Sequence, residues 1–322
     1  MTHKNILVIQ TAFIGDAILA SSVVEKLHLF FPKARISLLV RKGNESLYAN
    51  HPFLHQTLVW NKQEGKYKSL FQLLKQVRKQ KFDTVINLHR FASSGFITAF
   101  SKASYTSGYN KNPFSFLFNF KADHKIGDGR HEIQRYNDLI ESITDKSIAK
   151  PKLYPTHKQF TKVEEYIIPP YVCMAPSSVW ETKQLPKHKW VELCQTIPLT
   201  TTIYLLGAPS DVALCEEIKK QSSTTNITVL AGKLSLLESC ELMKHAQMNY
   251  VNDSAPLHLA SAVNAPTTAY FCSTIPEYGF YPLASNSKVI EVKNLECRSC
   301  GLHGYKACPK NNFRCGNEMV VA

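Results

Sequence analysis

The sequence is poor in the features that would place it in a membrane or outside the cell. No apolar run approaches the roughly 18 residues that a spanning helix needs, so the 322 residues do not read as an integral membrane protein. The segment from Met1 to Gln10 lacks a charged stretch leading into an apolar core and a small-residue cleavage site, the pattern of a secretory leader. The expectation is a cytoplasmic protein. A disulfide framework is missing too. The 9 cysteines are an odd number, and Cys173, Cys194, Cys215, Cys240 and Cys272 stand singly in apolar segments, where a reduced thiol packs as a small hydrophobe. No Gly-x-Gly-x-x-Gly follows the first apolar run, which argues against hydride transfer with a bound dinucleotide. Internal repeats and low-complexity tracts are absent, which sets aside solenoids and repetitive arms.

What is present is enough apolar material, 44% of residues, for two cores of about 150 residues each. The formal net charge of +13 is unevenly spread: residues 1–160 carry 24 Lys and Arg against 11 Asp and Glu, whereas residues 161–322 carry 14 of each. One half therefore reads as the partner of something anionic, whether a phosphorylated lipid, a membrane surface or nucleic acid, or else as a merely soluble basic surface.

Asn5 to Gln10 is a short apolar run suited to a buried parallel strand, and a turn at Gly15 leads into a helical pattern from Asp16 to Phe30. Apolar runs at 36–40, 57–60 and 84–88 alternate with helical stretches at 68–80 and 93–101, the rhythm of right-handed βαβ units. Pro151, Pro155, Pro169 and Pro170 bracket a linker with a short helix at 158–166. The rhythm then resumes, with strands expected at 171–174, 202–206, 227–230, 248–251 and 267–271 and helices between them. The fold class is α/β, with two Rossmann-like, doubly wound parallel-sheet domains at 1–155 and 156–322. Ligands of such sheets sit beyond the carboxyl ends of the strands, so two domains facing a cleft would hold substrate there.

Three segments at expected strand ends carry chemistry. Asp16, after the first strand, is either a first-turn acid that complements the helix dipole or a general base for an acceptor hydroxyl. The loop from Ala175 to Pro186 offers Ser177, Ser178, Thr182 and Lys183, hydroxyls and one cation able to cradle a diphosphate; read blandly, it is an exposed loop with a solvated lysine. Asn252-Asp253-Ser254-Ala255-Pro256-Leu257-His258 reads as a helix start, whose free amides around Ser254 and Ala255 suit a phosphate while Asp253 meets sugar hydroxyls. An ordinary capped helix looks the same, and His258 alone reads more readily as a packed histidine.

Strand plus Ile14-Gly15-Asp16, Trp180-x-Thr182-Lys183-x-x-Pro186, Leu206-Gly207-Ala208-Pro209, Leu230-Ala231-Gly232-Lys233 and Asn252 to Ala260 together resemble glycosyltransferase family 9, the lipopolysaccharide heptosyltransferases. The resemblance runs over nearly the whole chain. It implies a GT-B fold and inverting, metal-independent transfer of heptose from ADP-heptose to an acceptor built on Kdo and lipid A. The family's base matches Asp16, its phosphate-contacting lysine Lys183, and its nucleotide-sugar loop Asp253 to His258; Gly207 and Lys233 fall in matching segments, and Glu238 lies near the family's nucleotide-contacting acid. The family usually has glycine where Ser177 and Ala255 stand.

In the basic half, His89-Arg90 and Arg130-His131 offer themselves to acceptor carboxylates or phosphates, or pair structurally. Lys66, Lys68, Lys75, Arg78, Lys79 and Lys81 mark a basic helix, and Phe114 to Phe120 is an aromatic run suited either to a core or to the cytoplasmic face of the inner membrane. Between residues 297 and 315, Cys297, Cys300, Cys308 and Cys315 are either a four-thiolate set for structural zinc or reduced, redox-active thiols; no cofactor is expected for catalysis itself. Two rival functions remain: transfer from another nucleotide-sugar to a surface glycan, and a non-catalytic membrane or nucleic-acid binder. The second has no use for a base opposite a diphosphate loop, so nucleic acid is the least expected partner.

Overall fold

The computed structural model describes residues 3–63 and 65–321. Met1, Thr2, Glu64 and Ala322 lie outside the described residues, as does the Lys66 side chain that the sequence placed on the basic helix. The chain divides into two compact units, one of residues 1–126 and 130–154, the other of residues 127–129 and 155–322.

Unit 1 is a six-stranded parallel sheet built from β1 (Asn5–Gln10), β2 (Arg35–Arg41), β3 (Leu54–Trp60), β4 (Thr84–Asn87), β5 (Tyr105–Tyr109) and β6 (Phe120–Ala122) in the order β3-β2-β1-β4-β5-β6. Around it lie α1 (Ile14–Phe30), α2 (Lys66–Gln80), α3 (Ala92–Phe100) and α4 (Glu132–Asp138). β1 is the central strand, and Ile6 to Ile9 are fully buried because helices cover both faces. The edge strand β3 alternates between exposed and covered positions. On α2, Leu70, Leu73, Leu74 and Val77 recur at helical spacing and pack on Leu7, Ile9, Leu39 and Val85, leaving Lys75, Arg78 and Lys79 in solvent.

Unit 2 repeats the plan. After α5 (His157–Val163) come β7 (Tyr171–Ala175), α6 (Lys187–Thr196), β8 (Thr202–Leu205), α7 (Val212–Ser222), β9 (Ile227–Val229), α8 (Leu236–His245), β10 (Met248–Asn252), α9 (Ala255–Ala262), β11 (Thr267–Phe271) and β12 (Ser287–Glu291), with sheet order β12-β11-β10-β7-β8-β9. The cysteine-bearing tail is part of this core: Phe313, Cys315, Met319 and Val321 pack with Trp190, Leu193 and Tyr270, and the Tyr270 hydroxyl donates to the Val321 carbonyl at 2.9 Å.

Three strands carry no signal that apolar pattern could read. β5 is Tyr-Thr-Ser-Gly-Tyr, whose Gly108 is required because a Cβ there would come within 2.6 Å of the Phe118 ring. β6 and β12 are edge strands with half-covered residues. The aromatic run divides: Phe118 is buried under β5, whereas Phe116 and Leu117 are exposed.

One packing contact fixes the exit of β4. Asn112, 2% exposed, donates from Nδ2 to the carbonyls of His89 and Phe91 and accepts from the Phe114 amide at 3.0 Å. A Cβ on Gly95 of α3 would overlap the Asn112 carboxamide. Gly95→Ala should therefore destabilise the protein by about 2 kcal/mol despite its better helix propensity. Thermal unfolding of the variant gives the number.

Candidate active site

A doubly wound sheet opens where its strand order reverses, and in unit 1 that switch point lies between β1 and β4. The residues leaving β1 are held firmly there. Gln10, 1% exposed, accepts the Ala12 amide on Oε1 at 3.1 Å and donates from Nε2 to the Tyr136 hydroxyl at 2.8 Å. Lys62 donates to the Thr11 carbonyl at 3.0 Å, and the Thr11 hydroxyl lies 3.2 Å from His89 Nδ1. Phe13 is the N-cap of α1, and its side chain makes no capping hydrogen bond. Asp16 falls in the first turn, half-buried, where its charge complements the helix dipole. Burial holds the Tyr136 phenol well above its ordinary range, and the next largest cause is the Asp16 carboxylate, which places that acid within electrostatic reach of α4.

His89 leaves β4 at the same switch point. Burial, then the positive charges of Lys62 and Arg90, lower its pKa to about 4, so the ring is neutral at pH 7. The Arg90 guanidinium lies 5.5 Å from the Phe91 ring centre, and Arg41 sits 5.7 Å from that of Phe13. Phe13 and Phe91 are both exposed. The mouth of the switch point thus pairs aromatic faces with guanidinium groups.

In unit 2 the switch point lies between β7 and β10. Asn252, fully buried, accepts the Leu185 amide on Oδ1 at 2.9 Å and donates from Nδ2 to the Pro176 carbonyl at 2.8 Å, pinning both ends of the loop after β7. Lys183 Nζ lies 2.7 Å from Asp253 Oδ2, and that oxygen also accepts the Thr274 hydroxyl at 2.6 Å. Both side chains are mostly buried, at 16% and 6% exposed, so the pair is screened far less than a surface ion pair. The Ser254 hydroxyl reaches the Ser177 carbonyl at 3.4 Å, which sets the start of α9 against the same loop.

Residues 70–306 match the family described as glycosyltransferase family 9 (heptosyltransferase). The chain belongs to glycosyltransferase family 9. It is 26% identical over 310 residues to lipooligosaccharide heptosyltransferase 2 of Haemophilus influenzae, covering 89% of this chain and 88% of that one. Among solved structures it resembles a family 9 glycosyltransferase from Veillonella parvula, with TM-score 0.80, 20% identity and coverage of 89% and 85%. It also resembles E. coli ADP-heptose lps heptosyltransferase II, with TM-score 0.77, 19% identity and 98% of each chain covered. The chain is accordingly a glycosyltransferase with the expected α/β class, each unit a doubly wound parallel sheet.

Within this family 9 chain, several residues expected to touch substrate are engaged elsewhere. Thr182, expected at the donor, is 2% exposed; its hydroxyl oxygen accepts the Tyr305 amide at 2.7 Å and the Ser273 hydroxyl at 3.0 Å, so it clamps the loop. The Ser177 hydroxyl donates to Asp211 at 2.9 Å, and the other Asp211 oxygen accepts the Ala208 amide at 2.8 Å. Gly207 is required there, because a Cβ would meet the Asp211 Cβ at 2.8 Å. Glu238 closes a capping box on α8, accepting the Ser235 amide at 2.7 Å while its own amide donates to the Ser235 hydroxyl. His131, 1% exposed, caps α4 by accepting the Ile133 amide on Nδ1, and Arg130 pairs with Asp138 at 2.7 Å. His258 is buried on α9 near the Phe280 ring. Lys233 and Ser178 remain accessible, at the ends of β9 and β7.

The zinc expectation finds no support. Among the described residues no three His, Cys, Asp or Glu side chains converge to hold a metal ion. Cys315 is drawn into the core, burial raising its thiol to about 11, and the Cys300 thiol donates to the Cys297 carbonyl at 3.2 Å. Burial opposes ionisation of Cys308, but the amides of Phe313, Lys310, Asn312 and Asn311 more than offset it and hold that thiol below its ordinary range.

The neutral His89 has a consequence for acid stability. The unfolded chain protonates this ring near 6.5 and the folded one only near 4, so between those values the unfolded state binds more protons. Stability contributed by this site is complete above about pH 6.5 and is lost as the pH falls towards 4. His51, also lowered to about 4, mainly by burial, acts in the same direction. Urea titrations at pH 7 and pH 5 should show the parent losing stability at pH 5, with a smaller loss in His89→Gln.

Proposed function

We propose that this chain is an inverting heptosyltransferase that moves a heptose from ADP-heptose to an anionic core glycolipid of the lipopolysaccharide type, with no metal ion required at the reacting centre. The observation that carries this reading is the matched placement of Asp16 and of the Lys183–Asp253 pair at the switch points of two successive doubly wound units of a family 9 enzyme. The heptosyltransferases among its relatives and structural neighbours support the choice of sugar.

In the proposed reaction the acceptor hydroxyl gives its proton to the Asp16 carboxylate as its oxygen bonds to the anomeric carbon. The bond from that carbon to the donor phosphate oxygen breaks, and the electron pair leaves with the nucleoside diphosphate. Attack opposite the leaving group inverts the anomeric centre. Lys183 and the free Ala255 amide at the start of α9 meet the charge that develops on the diphosphate. Arg90 and Arg41, set against exposed aromatic rings, meet the anionic acceptor, and neutral His89 contributes hydrogen bonding rather than charge. The half-exposed Ser178 and the exposed Lys233 are further side chains offered to the donor. Lys183 recognises groups that every nucleotide-sugar shares, so a different donor base or sugar is the second reading.

Calorimetry in the presence of a chelator, with ADP, ADP-heptose, UDP-sugars and GDP-sugars, tests the donor. ADP compounds should bind and Lys183→Ala should lose that binding; a preference for UDP or GDP compounds would reassign the nucleotide. Asp16→Asn should lower kcat by about a hundredfold to ten-thousandfold with ADP affinity intact. Unchanged turnover would remove Asp16 from the base role.

Unit 1 supplies a face for a lipid-borne acceptor. Phe71, Phe96, Phe100 and Phe114 form a ladder of ring contacts with centroids between 4.9 and 6.0 Å apart, near the exposed Lys75, Arg78 and Lys79 of α2. Peripheral contact with the inner membrane surface follows from this reading. The protein should sediment with vesicles containing phosphatidylglycerol and not with neutral ones, and Phe71→Ser with Phe116→Ser should weaken that association.

A further inference from the structure

The tail between Arg298 and Tyr305 reaches the Lys183–Asp253 pair from both sides. On the lysine side, the loop that carries Lys183 is tied to the tail by a reciprocal bridge: the Thr182 amide donates to the Tyr305 carbonyl at 3.1 Å, and the Tyr305 amide donates to the Thr182 hydroxyl at 2.7 Å. The Ser273 amide and hydroxyl donate to the Thr182 carbonyl and hydroxyl at 3.2 and 3.0 Å, closing a small network with every bond internal. The tail and lysine also touch directly. A Cβ on Gly304 would lie 2.7 Å from the Trp180 Cβ and 2.8 Å from the Lys183 Cγ, so the absence of a side chain there lets the Lys183 stem lie against the tail.

On the aspartate side, the link runs through Thr274. Its hydroxyl donates to Asp253 at 2.6 Å, while its carbonyl accepts from Arg298 Nε at 3.1 Å and from Nη2 at 2.6 Å. Arg298 is itself locked, with Nη2 2.6 Å from Glu291 Oε2 and Nη1 donating to the Val292 carbonyl at 3.0 Å. Its side chain is only 6% exposed. The guanidinium is thus committed to holding the exit of β11, and it acts on Asp253 through Thr274 rather than by touching it.

We propose that the tail segment from Arg298 to Tyr305 is the seat that aligns the donor-binding lysine, with Gly304, Thr182 and Arg298 as positioning residues for Lys183 and Asp253. This assignment rests on the reading of Lys183 as the diphosphate contact. It assigns the tail a part in donor binding that needs neither metal nor thiol chemistry. A cation moved by one ångström at a diphosphate loses much of its interaction, so a methyl group at Gly304 should be felt at the donor and not at the acceptor.

The test compares the parent, Gly304→Ala, Thr182→Val, Thr182→Ser and Lys183→Ala as full-length proteins, measuring ADP affinity by calorimetry, the KM of each substrate and kcat. Gly304→Ala and Thr182→Val should each weaken ADP binding about tenfold and raise the donor KM in step, with the acceptor KM unchanged. Thr182→Ser keeps the hydroxyl and should restore parental affinity. Circular dichroism and the melting transition show that the variants remain folded. If Lys183→Ala loses ADP binding while folded Gly304→Ala and Thr182→Val bind as the parent does, the seat is overturned and the donor reading stands. If Lys183→Ala binds ADP as tightly as the parent, the donor reading fails and the seat with it. Equal rises in donor and acceptor KM would also overturn the proposal, because a general loosening of unit 2 predicts no such selectivity.

Discussion

Asn252, at the end of β10, is fully buried with its carboxamide hydrogen-bonded on both sides. Its oxygen takes the Leu185 amide, its nitrogen gives to the Pro176 carbonyl at 2.8 Å and reaches that of Ser177 at 3.5 Å, and these partners lie at opposite ends of the loop that follows β7. A buried amide that loses either partner forfeits about 1–3 kcal/mol, so the loop is held closed by a group that cannot afford to let go. The candidate site of unit 2 is hung from that closure: the Lys183 stem, the Asp253 carboxylate one residue further on, and the start of α9. Unit 1 has a counterpart in Gln10, whose amide joins the exit of β1 to Tyr136 on α4 and fixes the turn that presents Asp16.

These two amides also mark where sequence reading stops. The buried strands β1, β2, β7 and β11 announce themselves as apolar runs, and the alternation of strand and helix determines the class without further help. Asp16, Lys183 and Asp253 stand out as candidates because strand ends are where such sheets keep their ligands, and the structure places all three at the switch points. Their supports are not legible. Thr182 looks like one more hydroxyl in a phosphate loop until Tyr305, 123 residues away, is seen to occupy it. Glu238, His131 and Arg130 carry charge or donors in suggestive positions, yet each is consumed by a helix cap or an ion pair a few residues off. Nothing in a linear pattern separates a polar side chain that serves its own backbone from one that is spare.

The cysteine tail shows the same limit in another form. Four thiols within a short segment satisfy the composition of a metal site, but composition does not fix convergence. Here one sulfur is spent on filling a core beside Phe313 and another donates to a carbonyl three residues away. The tail's structural work is done instead by groups with no motif: the missing side chain of Gly304, the backbone of Tyr305 and the guanidinium of Arg298.

The uneven charge bears on how the two binding steps respond to their surroundings. On the proposed reading, attraction between an anionic acceptor and the exposed lysines and arginines of the first half acts across water, where physiological salt limits its reach to about 8 Å. The cation which that reading gives to the diphosphate is only 16% exposed and lies 2.7 Å from the Asp253 carboxylate, and the half that carries it holds equal numbers of acidic and basic side chains. Ionic strength would then act unequally on the two substrates, slowing the encounter with the acceptor more than it loosens the hold on the nucleotide.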